Sequence, residues 1–389
     1  MIINAVHCEV KAFNWHSDLT QINMENYHII GGENHQTFLQ EGVGPKVSPK
    51  PLWSKKNFEC RSAPFVKDKV LYVCQDGLFY AIDADNGDVL WTFEMPGQAS
   101  PPVILENKLI LGGHYIDSHL YVLDKDTGNL SWKFRTGTSN APIHKSPIIV
   151  DDLIIFPAGK TLYALNIHTQ KPHWKFKLGK KVGSFPATYG AGMVFMITNE
   201  GLDKQHIYCV EVATGNESWR MKAPGLSSHL VFTQNALFYT DRDNHLNIID
   251  PVSGTANRFK VFEGSTTSTS YLAAAGSLLL IVFGNKMAAL HLETMEWAWT
   301  SSSKGAIGQP TIADGIVYFA TCFDGIYGLE LVSGKTLFRI NTAVRSVYPC
   351  AIENETLYMA GSMNEHEILA YRVKVPRRKN PIISFLLDD

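Results

Sequence analysis

At 389 residues the chain has room for two or three ordinary domains, or for one large domain built by repetition. Its 45% hydrophobic, 11% aromatic and 19% charged residues exclude a disordered tail, a collagen-like rod and a long coiled coil, and favour an all-β protein. The 35 Lys and Arg against 37 Asp and Glu leave a net charge of −2, without the basic excess of a nucleic-acid binder, and no apolar run reaches the ~18 residues of a membrane span.

The first 48 residues form an extension of their own. Met1 to Cys8 has neither a basic start nor an apolar core, so no secretory signal is read and a cytoplasmic location is expected. An alternating run from Ala5 to Trp15 predicts a strand, and a Gly/Pro/Ser linker runs from Gly42 to Pro49. His7, His16, His28 and His35 follow no metal-ligand spacing, and no metal is expected. The six cysteines have no CxxC pattern and are expected to be reduced core thiols.

From residue 49 to 376 one pattern recurs. Short strands end on an acidic or polar anchor in Tyr80-Ala-Ile-Asp83, Tyr121-Val-Leu-Asp124, Tyr163-Ala-Leu-Asn166, Tyr208-Cys-Val-Glu211, Asn247-Ile-Ile-Asp250, Ala288-Ala-Leu-His291, Tyr327-Gly-Leu-Glu330 and Leu369-Ala-Tyr-Arg372. These anchors stand 39 to 45 residues apart. Four residues beyond the anchor, Gly87, Gly128, Gly215, Gly254 and Gly334 predict a turn that needs φ > 0. Eight beyond it stand Trp91, Trp132, Trp174, Trp219 and Trp299, with Arg258 and Phe338 as exceptions. Two more strand-like runs precede each anchor, so each repeat of about 41 residues reads as a four-stranded blade of a β-propeller.

The last anchor, Arg372, lacks a following turn and aromatic, whereas Trp53 lacks an anchor before it. The expectation is a single eight-bladed propeller whose final blade is completed by an N-terminal strand around Trp53, with seven blades as the fallback. The six tryptophans at positions 53, 91, 132, 174, 219 and 299 are expected to pack between blades.

The eleven-residue runs Ala81 to Trp91 and Val122 to Trp132 resemble the tryptophan-docking repeat of the quinoprotein-like (PQQ-like) β-propellers, and the number of blades is similar to that of the BamB type. This resemblance spans about residues 49–376. It implies a fold shared by quinone dehydrogenases, assembly lipoproteins and stress sensors, so function has to be read from sites. The quinone enzymes imply an adjacent cysteine pair and acidic calcium ligands at the ring centre. Neither is found here, so no quinone or other cofactor is expected.

Residues just before each inner strand are expected to line the central channel. They are Arg61, Ser62, Ser100, His144, Lys145, Ser184, Ser228, His229, Gln309, Arg345 and Tyr348, a polar and mildly basic set suited to a small anionic ligand. Longer connections at Gly113 to Ser118, Asn199 to Gln205 and Ser362 to Glu367 are expected on one face. The tail from Arg377 to Asp389 sets a basic triplet before an apolar stretch too short to span a membrane, expected to dock on a blade edge or on another chain. The expected function is a non-catalytic scaffold that recognises a protein partner through face loops. The alternative is an enzyme or small-molecule binder that uses the central funnel.

Overall fold

A computed structural model describes residues 28–29, 38–40, 42–60, 62–75, 77–114, 116–137, 141–179, 185–198, 201, 204–263, 270–323, 325–361 and 366–372. The predicted N-terminal strand, the C-terminal tail, Arg61 and Ser184 lie outside the described residues. Eight sheets form a ring, seven of them built on four antiparallel strands that follow one another in sequence from inside to outside. Blade 1, for example, comprises Phe65–Lys67, Val70–Gln75, Leu78–Asp83 and Val89–Glu94. Among the described residues there is no helix, hence none long and apolar enough to cross a membrane.

The eighth blade takes its outer strand from the other end of the chain. Lys50–Lys56 pairs antiparallel with Glu367–Arg372, which puts Trp53 opposite Ala370. The Trp53 indole then donates from Nε1 to the Ala84 carbonyl of blade 1 at 2.9 Å. The same bond recurs around the ring: Trp174 to Val212 at 2.7 Å, Trp219 to Pro251 at 2.9 Å and Trp299 to Leu331 at 2.8 Å. Each acceptor is the residue after an anchor in the next blade, so Trp53 fills the seam between blades 8 and 1 as the others fill theirs.

Local features make room for each indole. Its cross-strand partner is small or slim: Ala81, Val122, Ala164, Cys209, Ala289 or Ala370. The outer strand carries a bulge just before the tryptophan, which turns the ring into the seam. In the next blade five of the six indoles lie over the turn glycine, Gly87, Gly128, Gly215, Gly254 or Gly334; beyond Trp132 that position is Gln170. A Cβ on Gly128 would stand 2.4 Å from the Trp91 ring, and its φ of 72° also favours glycine.

Blade 5 lacks all of this together. Its third and outer strands pair without a bulge, so Arg258 stands opposite Asn247 rather than the bulky Ile248. The side chain at the tryptophan position is thereby turned to the other side of the sheet.

The inner strands leave their free edges facing the axis, and the extension uses them. His28–Ile29 pairs antiparallel with Val103–Leu105 of blade 2. On blade 7, Leu39 bridges Ile312 in parallel; Gln40 N donates to Ile312 O at 2.7 Å and Ile312 N to Phe38 O at 2.9 Å. The Gln40 amide spans to blade 8, donating to Cys350 O at 3.1 Å and accepting from Ile352 N at 2.8 Å. The chain then leaves across the seam of blades 7 and 8, where Tyr318 donates to Pro45 O and Lys46 pairs with Asp314 at 2.6 Å. Residues 38–40 and the start of the linker read from the sequence thus form a strap from the inner edges of blades 7 and 8 across the seam between them.

Replacing Trp53 by Ala truncates an aromatic at the only seam joined by residues distant in sequence. We expect a loss of about 3 to 5 kcal/mol in urea unfolding, and an unchanged midpoint would show that this latch contributes nothing to closure.

Candidate functional site

Antiparallel order gives the ring two unlike faces. One carries the connections between second and third strands together with the entries to each inner strand; this loop face holds every described residue expected in the funnel. The other carries the tight turns and the anchors.

On the loop face, three of the polar residues expected to line the channel bond to the protein's own backbone. Ser100 Oγ accepts from Gly112 N at 2.8 Å and Ser228 Oγ from Thr240 N at 2.9 Å, so each hydroxyl ties an incoming loop to the second strand of its blade. Gln309 is buried and donates to Leu272 O at 2.9 Å and Pro310 O at 3.1 Å, bridging blades 6 and 7. His229 is buried with its ring edge-on to Phe38 of the strap, centroids 4.9 Å apart. Ser62 is buried, and Tyr348 packs against the apolar cluster between blades 1 and 2.

Three expected residues keep neighbours suited to recognition. The Arg345 guanidinium lies 5.5 Å from the Phe323 ring centroid, and Phe323 is 67% exposed. Phe323 is held from below, since a Cβ on Gly305 would stand 2.5 Å from its ring. His144 and Lys145 meet His114, which the sequence reading did not single out. The His114 and His144 rings stand edge to face at 4.4 Å. Burial, then the neighbouring His144 and Lys145, pushes the His114 pKa down from 6.5 to about 4. Burial also lowers Lys145, and burial followed by the Lys145 charge lowers His144.

Two further networks come from residues adjacent in the blades. In blade 2 the buried Asp117 carboxylate contacts His119 Nδ1 at 2.8 Å and accepts from Tyr121 OH at 2.8 Å. In blade 5 the ligand atoms of Asp241, Asp243 and His245 lie within 4.8 Å of one another, a metal-like grouping. Arg258 already fills its charge requirement, donating to Asp241 at 2.8 Å and Asp243 at 3.1 Å, while Asn247 donates to Asp241 at 3.1 Å. Burial raises the Asp241 pKa, but the bonds from Arg258, Asn247 and the His245 backbone outweigh it and hold the carboxyl below its usual range. The grouping is an arginine-centred ion network, with Arg258 available because blade 5 turns it away from the seam.

No disulfide joins the described cysteines, and four of the five are buried; burial pushes the Cys60, Cys209 and Cys350 thiols up to about 12. Thiols held so far from ionisation are poor nucleophiles and poor metal ligands.

Comparison with known proteins gives the same architecture. The family model described as outer membrane protein assembly factor BamB matches residues 47–175, 158–294 and 203–374. BamB from Moraxella catarrhalis superposes with a TM-score of 0.61 at 13% identity, over 84% of this chain and 98% of that one. The quinohemoprotein alcohol dehydrogenase ADHIIG from Pseudomonas putida HK5 superposes with a TM-score of 0.72 at 12% identity, over 90% and 82%. Among curated proteins, tetrathionate hydrolase from Acidithiobacillus ferrooxidans is 22% identical over 311 residues. The chain spans 56% of the length of that relative, and 71% of the chain is covered.

Two outcomes follow from the charged clusters. Between pH 6.5 and about 4 the unfolded chain takes up a proton at position 114 that the folded chain refuses. Stability therefore falls with pH across that window, and His114→Gln should flatten the slope seen by urea unfolding. Arg258→Ala strips a buried carboxylate of its charged donor and should cost roughly 2 kcal/mol, read as a lower unfolding midpoint at pH 7.

Proposed function

We propose that this chain, which belongs to the BamB-type family of PQQ-like β-propellers, is a non-catalytic scaffold that binds a protein partner through its loop face. The observation that carries this reading is Phe323, a large aromatic that is 67% exposed, propped against Gly305 and flanked by the Arg345 guanidinium. Aromatic and arginine side chains are the groups that most often supply binding energy at protein interfaces. Ile116, 78% exposed, stands on the same face in blade 2.

Occupancy of the centre supports the scaffold further. The strap bonds to the inner edges of blades 7 and 8, and Phe38 covers His229, so the chain fills part of the funnel that a small substrate would enter.

The alternative reading is a hydrolase acting on an anionic substrate. It draws on the likeness to tetrathionate hydrolase and on His119, whose ring is held by a buried carboxylate as an acid–base imidazole is held.

A photo-crosslinker at position 323 tests the first reading in living cells, with position 332 on the turn face as control. A discrete crosslinked protein from 323, weakened by Arg345→Ala and not obtained from 332, is the expected result. Equal crosslinking from both faces, or tetrathionate turnover abolished by His119→Gln in the purified chain, overturns it.

A further inference from the structure

Blades 2 and 3 meet on the loop face through a firmly built joint. Ile143 N donates to Gly113 O at 2.8 Å, and Ala141 N donates to Ser118 Oγ at 3.1 Å. Thr136 Oγ1 donates toward Ala141 O at 2.7 Å and Ser118 O at 3.0 Å. A Cβ on Gly112 would stand 2.4 Å from Ile143, so the loop lies directly on the blade 2 backbone. The joint fixes His144 and Lys145 beside His114 and sets the two rings at 4.4 Å.

The charge pattern of this cluster is one-sided. Lys145 is half-buried, its burial lowers its pKa, and among the described residues no carboxylate forms an ion pair with it. Its charge reaches both imidazoles and disfavours their protonation. A cation kept in a partly dry recess without a counter-ion sits at an electrostatic cost that an arriving anion removes. Neutral imidazoles add N–H donors, and an exposed His144 leaves the recess open to solvent.

We propose that His114, His144 and Lys145 form a binding site for an oxoanion group, with Lys145 supplying the charge and the imidazoles supplying directed hydrogen bonds. This site is separate from the Phe323–Arg345 patch and does not depend on the scaffold reading. The oxoanion is borne either by a free tetrahedral anion or by an acidic side chain of a peptide.

Isothermal titration calorimetry of the full chain at pH 7 and fixed ionic strength tests it, with inorganic phosphate, inorganic sulfate and a short glutamate-rich peptide as separate probes. One saturable site is expected for at least one probe. Loss of one charge-assisted bond should weaken it roughly tenfold in Lys145→Ala, while Lys145→Arg retains it. Binding of the inorganic ions assigns a free ligand; binding of the peptide alone assigns a protein-borne one.

The same ligand must raise the His144 pKa followed by NMR, because a site that prefers the charged imidazole and the anion together couples the two. No saturable binding by the unaltered chain, or equal affinity in Lys145→Ala, overturns the proposal. So does a His144 titration that the bound probe leaves unmoved.

Discussion

The structure rests on an indole laid across the backbone turn of the next blade. Four conditions coincide at Trp53, Trp174, Trp219 and Trp299: a bulge that turns the ring into the seam, a slim residue opposite it, a carbonyl at 2.7 to 2.9 Å from Nε1, and a turn without a Cβ beneath the ring. In a linear array each repeat contacts only its neighbours, and the end repeats leave one side unfilled. Bringing Trp53 to the last blade adds a seam without adding a blade, so the closing seam has the same chemistry as the seams within the series. The strap ties the neighbouring seam, between blades 7 and 8, through Pro45 and Lys46.

Blade 5 shows that these conditions are coupled. Arg258 at the tryptophan position goes with Ile248 where the other blades have slim residues or glycine, and with an unbulged strand pair. A bulky Ile248 would fill the space of an inserted ring, and an unbulged strand points its eighth residue the other way. Arg258 then reaches Asp241 and Asp243. In the neighbouring blade Met295 takes the left-handed turn position with φ 58°.

The ring was legible in the sequence because its constraints repeat. The anchors, the turn glycines, the tryptophans and the orphan at position 53 each encode a contact made many times over, and repetition separates them from chance. The site was legible only in part. The sequence placed Ser100, Ser228 and Gln309 in the right loops but gave no sign that nearby backbone groups would claim their polar atoms. His114 was missed because its partner His144 comes from the next blade, through a loop with no periodic signal. The strap was missed for a related reason. It binds strand edges through backbone groups, and Phe38 to Gln40 needs no alternation to do so.

The near-zero net charge conceals a division with a structural cause. Anchor carboxylates on the turn face accept backbone N–H groups: Asp83 from Asp85 and Asn86, Asp124 from Asp126 and Thr127, Asp250 from Val252 and Ser253. Those acids hold turns closed, as short polar side chains at such positions do, and they stand on the face opposite the loops. Lys145 and Arg345 lie across the ring from them. A chain balanced in total thus presents cations on the loop face that its own anchors are too distant to neutralise, and beyond about a Debye length solvent ions screen what attraction remains. Counting charges hides this; following each carboxylate to the N–H it accepts reveals it.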